Sequence, residues 1–341
     1  MSKTRVFCIL LAIVLIVLCV TFRVHFRPNN DTASKFEQAR KVLRSGDYRT
    51  AERLNRELLD NQEIIDHPVM HARVLNQLGL SLKYQHRSLE AEPFLRQAIS
   101  KASEQLDGDH PEILKFEDNL AGIFQDEGKY PKAIRILEDL VSKRRRVCGS
   151  KSLETATTLN NLGSVYQDMT MLNPAEKCYK ESISILEHLE GDAQIKYIAA
   201  LNNLAQLYEA RGQYADALLV AEKAVTLAKN NQAIEQPDMA LYLENLGGAY
   251  HHIGSYKEAE SKYKEAICIY ESIWGSRDLS TARALHSLAR TYLAAGNQTD
   301  GIAALRKAYE IEKTVLGADS VRTKNTAENI ANVLRRWGKT Q

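Results

Sequence analysis

The chain has 341 residues, 26% charged and 44% hydrophobic, with a formal net charge of +2; this is the balance of folded protein and excludes a disordered chain. Four of its 45 basic residues and none of its 43 acidic residues fall within residues 1–27, so the remainder carries a net charge of −2, which argues against the basic face a nucleic-acid partner would need. Seven prolines, abundant Ala and Leu, and few β-branched runs after residue 25 predict a nearly all-α chain.

Residues 1–5 form a short tail, followed by an uncharged run over 6–22 bounded by Lys3 and Arg5 on one side and by Arg23, His25 and Arg27 on the other. The run is expected to be a transmembrane segment and to contact the lipid bilayer. An uncleaved signal anchor is favoured over a cleaved signal peptide, because the run ends in Leu18-Cys19-Val20-Thr21-Phe22 and lacks an A-x-A-like site. Leu18 before Cys19 is too bulky for a lipoprotein cleavage motif. With so few residues before the span, the amino terminus is expected in the cytoplasm and the rest of the chain outside it, as a single-pass membrane protein. Cys8 and Cys19 lie in the run, and Cys148, Cys178 and Cys268 are widely spaced, so neither a disulfide framework nor a C-x-x-C metal pair is present.

A linker over 23–33 leads into a repeat. The stretches "VLNQLGLSLKY" at 74, "FEDNLAGIFQD" at 116, "TLNNLGSVYQD" at 158, "ALNNLAQLYEA" at 200, "YLENLGGAYHH" at 242, "ALHSLARTYLA" at 284 and "TAENIANVLRR" at 326 recur at a period of 42 residues. A spacing without drift marks identical stacked units, the pattern of a solenoid. Each unit carries a small residue (Gly79, Ala121, Gly163, Ala205, Gly247, Ala289, Ala331) with Leu82, Phe124, Tyr166, Tyr208, Tyr250, Tyr292 or Leu334 three places on. A second small residue follows at twelve places (Ala91, Ala133, Ala175, Ala217, Ala259, Gly301), across a turn such as "RGQYADA". This arrangement predicts two closely packed antiparallel helices per unit, with the ring filling the space beside their contact. Gly149, Gly275 and Gly317 are expected C-caps. Six full units are read over about 72–323, a degenerate one over 34–65, and a capping helix over about 320–337. The basic "SKRRRV" at 142–147 is read as the solvated end of a helix.

These features resemble the tetratricopeptide repeat family, and the 42-residue length with the "LNNLG" core resembles its kinesin-light-chain-like subgroup. The resemblance covers roughly residues 34–337. It implies an all-α fold, a right-handed α-solenoid of antiparallel helix pairs, which here would follow a single N-terminal transmembrane helix. It also implies that first helices line a concave wall that binds a protein or peptide partner. Counting the small residue as position eight, the family's wall is formed mainly by positions two, five, six, nine, twelve and thirteen.

On that wall, position five reads Asn76, Asp118, Asn160, Asn202, Glu244, His286 and Glu328, and position six reads Gln77, Asn119, Asn161, Asn203, Asn245, Ser287 and Asn329. The amides suit main-chain groups of a peptide. Alternatively, position six ties neighbouring helices together, leaving the more variable position five to set specificity. Arg73 and Lys115 early, Ser164 and Gln206 in the middle, and Arg283 and Arg290 late complete the expected groove and favour a peptide with acidic ends. The family's carboxylate clamp is not matched, since no unit carries the Lys-Asn pair it needs. Glu244, His286 and Glu328 are read as a helix-to-helix ion-pair column in preference to a metal or pH-sensitive site. No phosphate loop, G-x-S-x-G or H-E-x-x-H occurs, so no enzyme activity, cofactor or small-molecule substrate is expected. The functional expectation is a membrane-anchored scaffold; the alternative is a structural part of a membrane or envelope complex packing through its convex face or ends.

Overall fold

A computed structural model describes residues 30–337 of the chain. Every regular element among them is helical, and they fall into two units divided after Lys129.

In the first unit, α1 (Asn30–Arg44) packs on α2 (Tyr48–Leu59), and a single turn, α3 (Gln62–Ile65), leads to α4 (Pro68–Lys83), α5 (Ser88–Ala102) and α6 (Pro111–Asp126). The starts are set locally. The Asp47 carboxylate accepts from the Thr50 N–H at 3.1 Å, and Pro68 and Pro111 occupy first-turn positions where a missing N–H costs nothing. Phe36, Ala39, Leu54, Leu58 and Ile64 form one buried cluster; Ala72, Leu75, Ala98, Ile113 and Phe116 form a second.

The second unit runs through α7 (Tyr130–Val147), α8 (Leu153–Asp168), α9 (Leu172–Leu186), α10 (Ala193–Ala210), α11 (Tyr214–Lys229), α12 (Gln236–His252), α13 (Tyr256–Trp274), α14 (Leu279–Ala294), α15 (Gln298–Leu316) and α16 (Val321–Trp337). Each helix packs on its neighbours in sequence, and first helices of successive pairs also touch: α8 with α10, α10 with α12, and α12 with α14. This is an all-α helical-repeat solenoid.

Within a pair, the small residue makes room for a large one sixteen places on. A Cβ built at Gly163 would lie 2.7 Å from the fully buried Tyr179 ring, one at Gly247 3.0 Å from Tyr263, and one at Gly79 2.9 Å from Leu95. The tyrosine three places after the small residue packs into the core, as Tyr208 does beside Ala217, and has a second job. Its hydroxyl reaches the second helix of the preceding pair, Tyr166 to Glu138 at 2.6 Å, Tyr250 to Glu222 at 2.5 Å and Tyr292 to Glu260 at 3.0 Å. These rings therefore join successive repeats, a role that a spacing within one repeat does not reveal.

The turn inside each pair puts one residue in the left-handed region. Gly occupies that place at 46, 128, 212, 254 and 296, but His86 and Thr170 take it with φ of 59° each. Gly275 and Gly317 close α13 and α15 with positive φ, and Gly149 does the same just beyond α7. The basic run that ends α7 is only partly solvated. Arg144 is 6% exposed and donates to the Glu154 carbonyl at 3.1 Å and to the Thr158 hydroxyl, while Arg145 pairs with Glu181.

The placement as a single-pass membrane protein is corrected. Among the described residues no helix is long and apolar enough to cross a membrane. The reason is amphipathicity: even α10, with ten buried residues, carries Gln194, Lys196, Asn202, Asn203, Gln206 and Glu209. The stretch 6–22, on which the transmembrane helix, signal anchor and bilayer contact rest, lies outside the described residues.

Candidate partner-binding site

Positions five, six, nine and twelve share one face of each first helix, because residues three and four apart are stacked along it. Contact between successive first helices brings these faces side by side. There the amides form a ladder: position six of one repeat donates to position five of the repeat before it. Asn119 Nδ2 reaches Asn76 Oδ1 at 2.7 Å in the first unit. In the second, Asn203 reaches Asn160 at 3.1 Å and Asn245 reaches Asn202 at 2.8 Å.

The two columns are not equivalent. The acceptors Asn76 and Asn202 are 5% and 3% exposed, whereas Asn119, Asn203 and Asn245 are half-buried. Each ladder bond uses one N–H of the position-six amide, leaving its other N–H and its carbonyl oxygen for further bonds. Asn160, Asn161, Asp118, Ser164 and Gln206 are half-buried on the same faces, Lys115 and Arg290 are exposed, and Gln77 is buried. Three of the seven position-five residues, Asn76, Asn202 and Glu244, are buried, and at position six Gln77 is.

Several of the expected groove charges are already matched. Arg73 makes a bidentate pair with Glu112, at 2.5 and 3.1 Å. Arg283 makes another with Glu244, at 3.1 and 3.0 Å, and the Tyr270 hydroxyl also donates to Glu244 at 3.2 Å. Burial of the Tyr270 phenol, with the Glu244 carboxylate beside it, pushes its pKa up to about 12. Arg73 and Arg283 thus neutralise the protein's own carboxylates, which removes two of the cations that favoured an acidic-ended peptide.

Within the Glu244, His286 and Glu328 column, Glu244 and His286 take different partners. His286 Nε2 lies 3.0 Å from the wholly buried Glu312, which also accepts from Arg322 and Thr326, each at 2.6 Å. Burial alone would raise the Glu312 pKa, but the bonds from Thr326, Arg322 and His286 hold it below the usual carboxylate range. Glu312 lies on a second helix, outside the wall positions, so a reading of first helices passes over it. Its position on the inner face of α15, where a charge is costly, is the signal that marks it.

A further cluster lies where α10, α12 and α14 meet. His252 Nε2 is 3.0 Å from Glu209 Oε1, and its ring stacks on Tyr214 with centroids 4.5 Å apart and planes within 3°. His251 Nδ1 is 3.0 Å from the Thr291 hydroxyl. Burial, reinforced by the nearby Arg290 and His252, lowers the His251 pKa to about 4, so its ring is neutral at pH 7. Glu209 and His252 occupy wall positions twelve and thirteen, and their pairing across two repeats is what sequence alone did not bring together.

The fold and this polar face define a helical-repeat scaffold suited to protein–protein interaction. The model of the tetratricopeptide repeat matches residues 112–188, 154–230 and 238–311, more than half of the chain, and a second model of the same repeat matches 202–273. The chain belongs to the tetratricopeptide repeat family. No curated protein sequence matches it. Among solved structures, BtubC from P. vanneervenii is 20% identical with a TM-score of 0.54, covering 72% of this chain and 94% of its own. The apo form of RapI is 13% identical with a TM-score of 0.62, covering 84% and 98%. A Rap protein complexed with competence and sporulation factor is 17% identical with a TM-score of 0.51, covering 90% and 88%. At these identities the likeness is one of fold.

Proposed function

We propose that this protein is a scaffold that captures an extended peptide segment of a protein partner along the ladder face of the first helices in its second unit. The observation that carries the reading is the half-used amide. Asn203 and Asn245 each spend one N–H on the neighbouring helix, which fixes the side chain's orientation, and keep a donor and an acceptor for main-chain groups. Groups held in place by the scaffold lose little entropy on binding. Support also comes from the Rap structure, whose complex with competence and sporulation factor shows a similar fold holding a partner. In this reading the repeats wind as a right-handed superhelix of the kinesin-light-chain-like kind, and Asn160, Asn161, Ser164, Asn202 and Gln206 flank the half-used amides.

Selection of a phage-displayed library of random dodecamers on the immobilised full chain tests this. Enriched peptides are expected to lose about tenfold in affinity, on the order of 1.4 kcal/mol, when Asn203 and Asn245 are both replaced by Ala. Undiminished binding to that variant overturns the groove reading.

A further inference from the structure

Glu209 is presented in a way no other described wall carboxylate is. It sits at position twelve of α10, on the ladder face one helical turn beyond Gln206. Its Oε1 lies 3.0 Å from His252 Nε2, whose ring stacks on Tyr214. Its Oε2 accepts no hydrogen bond among the described residues, and its side chain retains 29% exposure. The carboxylate lies over the backbone of α12 at Gly248, where a Cβ would be 3.4 Å from each of its oxygens. At this position nine the other repeats of the second unit carry Ser164, Gln206 and Arg290; the glycine lets the carboxylate lie close against the α12 backbone. The Tyr263 hydroxyl, 3.6 Å from the same Cβ position, lies beside it.

A half-exposed carboxylate with an imidazole beside one oxygen and the other oxygen offered is a seat for a cation. Neither His252 nor Arg290 removes this character. The imidazole stands beside Oε1 alone, and among the described residues Arg290 makes no ion pair with Glu209. The contrast with Glu244 is direct. There both oxygens are taken, by Arg283 and Tyr270, and the side chain is 10% exposed.

We infer that Glu209, seated over Gly248, is a specificity residue that takes a lysine or arginine side chain of the bound segment. This rests on the groove reading for the rest of the peptide, but its signature is separate: a register position in the ligand, not binding as such. The same dodecamer library serves as the probe, selected in parallel on the unaltered chain, Glu209→Gln, Glu209→Lys, and the Asn203→Ala, Asn245→Ala variant, each checked for unchanged helicity.

Peptides from the unaltered chain are expected to share a Lys or Arg at one aligned position, and replacing it by Gln should weaken binding roughly fivefold, the scale of a half-exposed ion pair. Selection on Glu209→Gln should lose that preference, and on Glu209→Lys it should turn to Asp or Glu. A Lys or Arg preference that survives Glu209→Gln overturns the inference, as does its absence from the unaltered pool. A Glu209-dependent preference that persists in the Asn203→Ala, Asn245→Ala variant at full affinity would sink the ladder reading and leave the seat standing. Enrichment of no peptide at all removes both.

Discussion

The ladder makes a quantitative demand on Asn245 and Asn203, which occupy the same position in successive repeats. Asn245→Ala removes a 2.8 Å bond to Asn202 Oδ1, and Asn202 is 3% exposed, so water has little access to the orphaned acceptor. An unsatisfied buried polar group costs about 1–3 kcal/mol. Asn203→Ala removes a longer bond, 3.1 Å, to the half-buried Asn160, where solvent can substitute, for about 0.5–1 kcal/mol. Both substitutions return roughly 0.6 kcal/mol of helix propensity. The net expectation is a loss of about 1–2 kcal/mol for Asn245→Ala and close to zero for Asn203→Ala. Urea unfolding followed by circular dichroism measures the difference, with amide exchange of α10 and α12 as a local readout, since repeat arrays need not unfold in one step. In a cycle with Asn202→Ala, the Asn245 pair should couple by about 1 kcal/mol. An Asn203→Ala chain destabilised as much as Asn245→Ala, or a coupling near zero, refutes the argument that burial of the acceptor sets the cost.

Gly163→Ala should destabilise by about 1–2 kcal/mol, because the new methyl collides with the Tyr179 ring at 2.7 Å; in a Tyr179→Ala background the sign should reverse through helix propensity, and thermal melts of the four chains decide it. His86→Gly and Thr170→Gly should each be neutral or raise the melting temperature, since both residues hold φ of 59° where five other repeats carry Gly; a clear loss at either site contradicts the strain. The neutral, half-buried His251 binds fewer protons folded than unfolded, so its contribution is full above its ordinary pKa near 6.5 and declines as pH falls toward about 4. His251→Asn should flatten the unfolding midpoint over that window, and a slope equal to that of the unaltered chain would reject the assignment.

The fold was largely legible in the chain itself. A 42-residue period with Gly163 or Gly247 at one offset and Ala175 or Ala259 twelve places later leaves little besides stacked helix pairs, because close approach demands a missing or minimal side chain at both points. Asn160 and Asn161, or Asn202 and Asn203, were likewise visible as polar residues at the centre of a helix that should not favour them. Legible too were the two roles open to position six, scaffold and ligand.

Only tertiary structure decided how those residues divide their bonds. Sequence reports which positions share a helix face, since 3.6 residues per turn is a local property. It does not report which atoms of two such faces meet across 40 residues. That Asn245 reaches beneath itself to Asn202, that Arg283 spends its charge on Glu244, and that Glu209 lies across Gly248 beside His252 all depend on how far one repeat is rotated against the next. A rotation of that kind is set by the summed packing of Tyr179, Tyr263 and their neighbours, and no single local pattern encodes it.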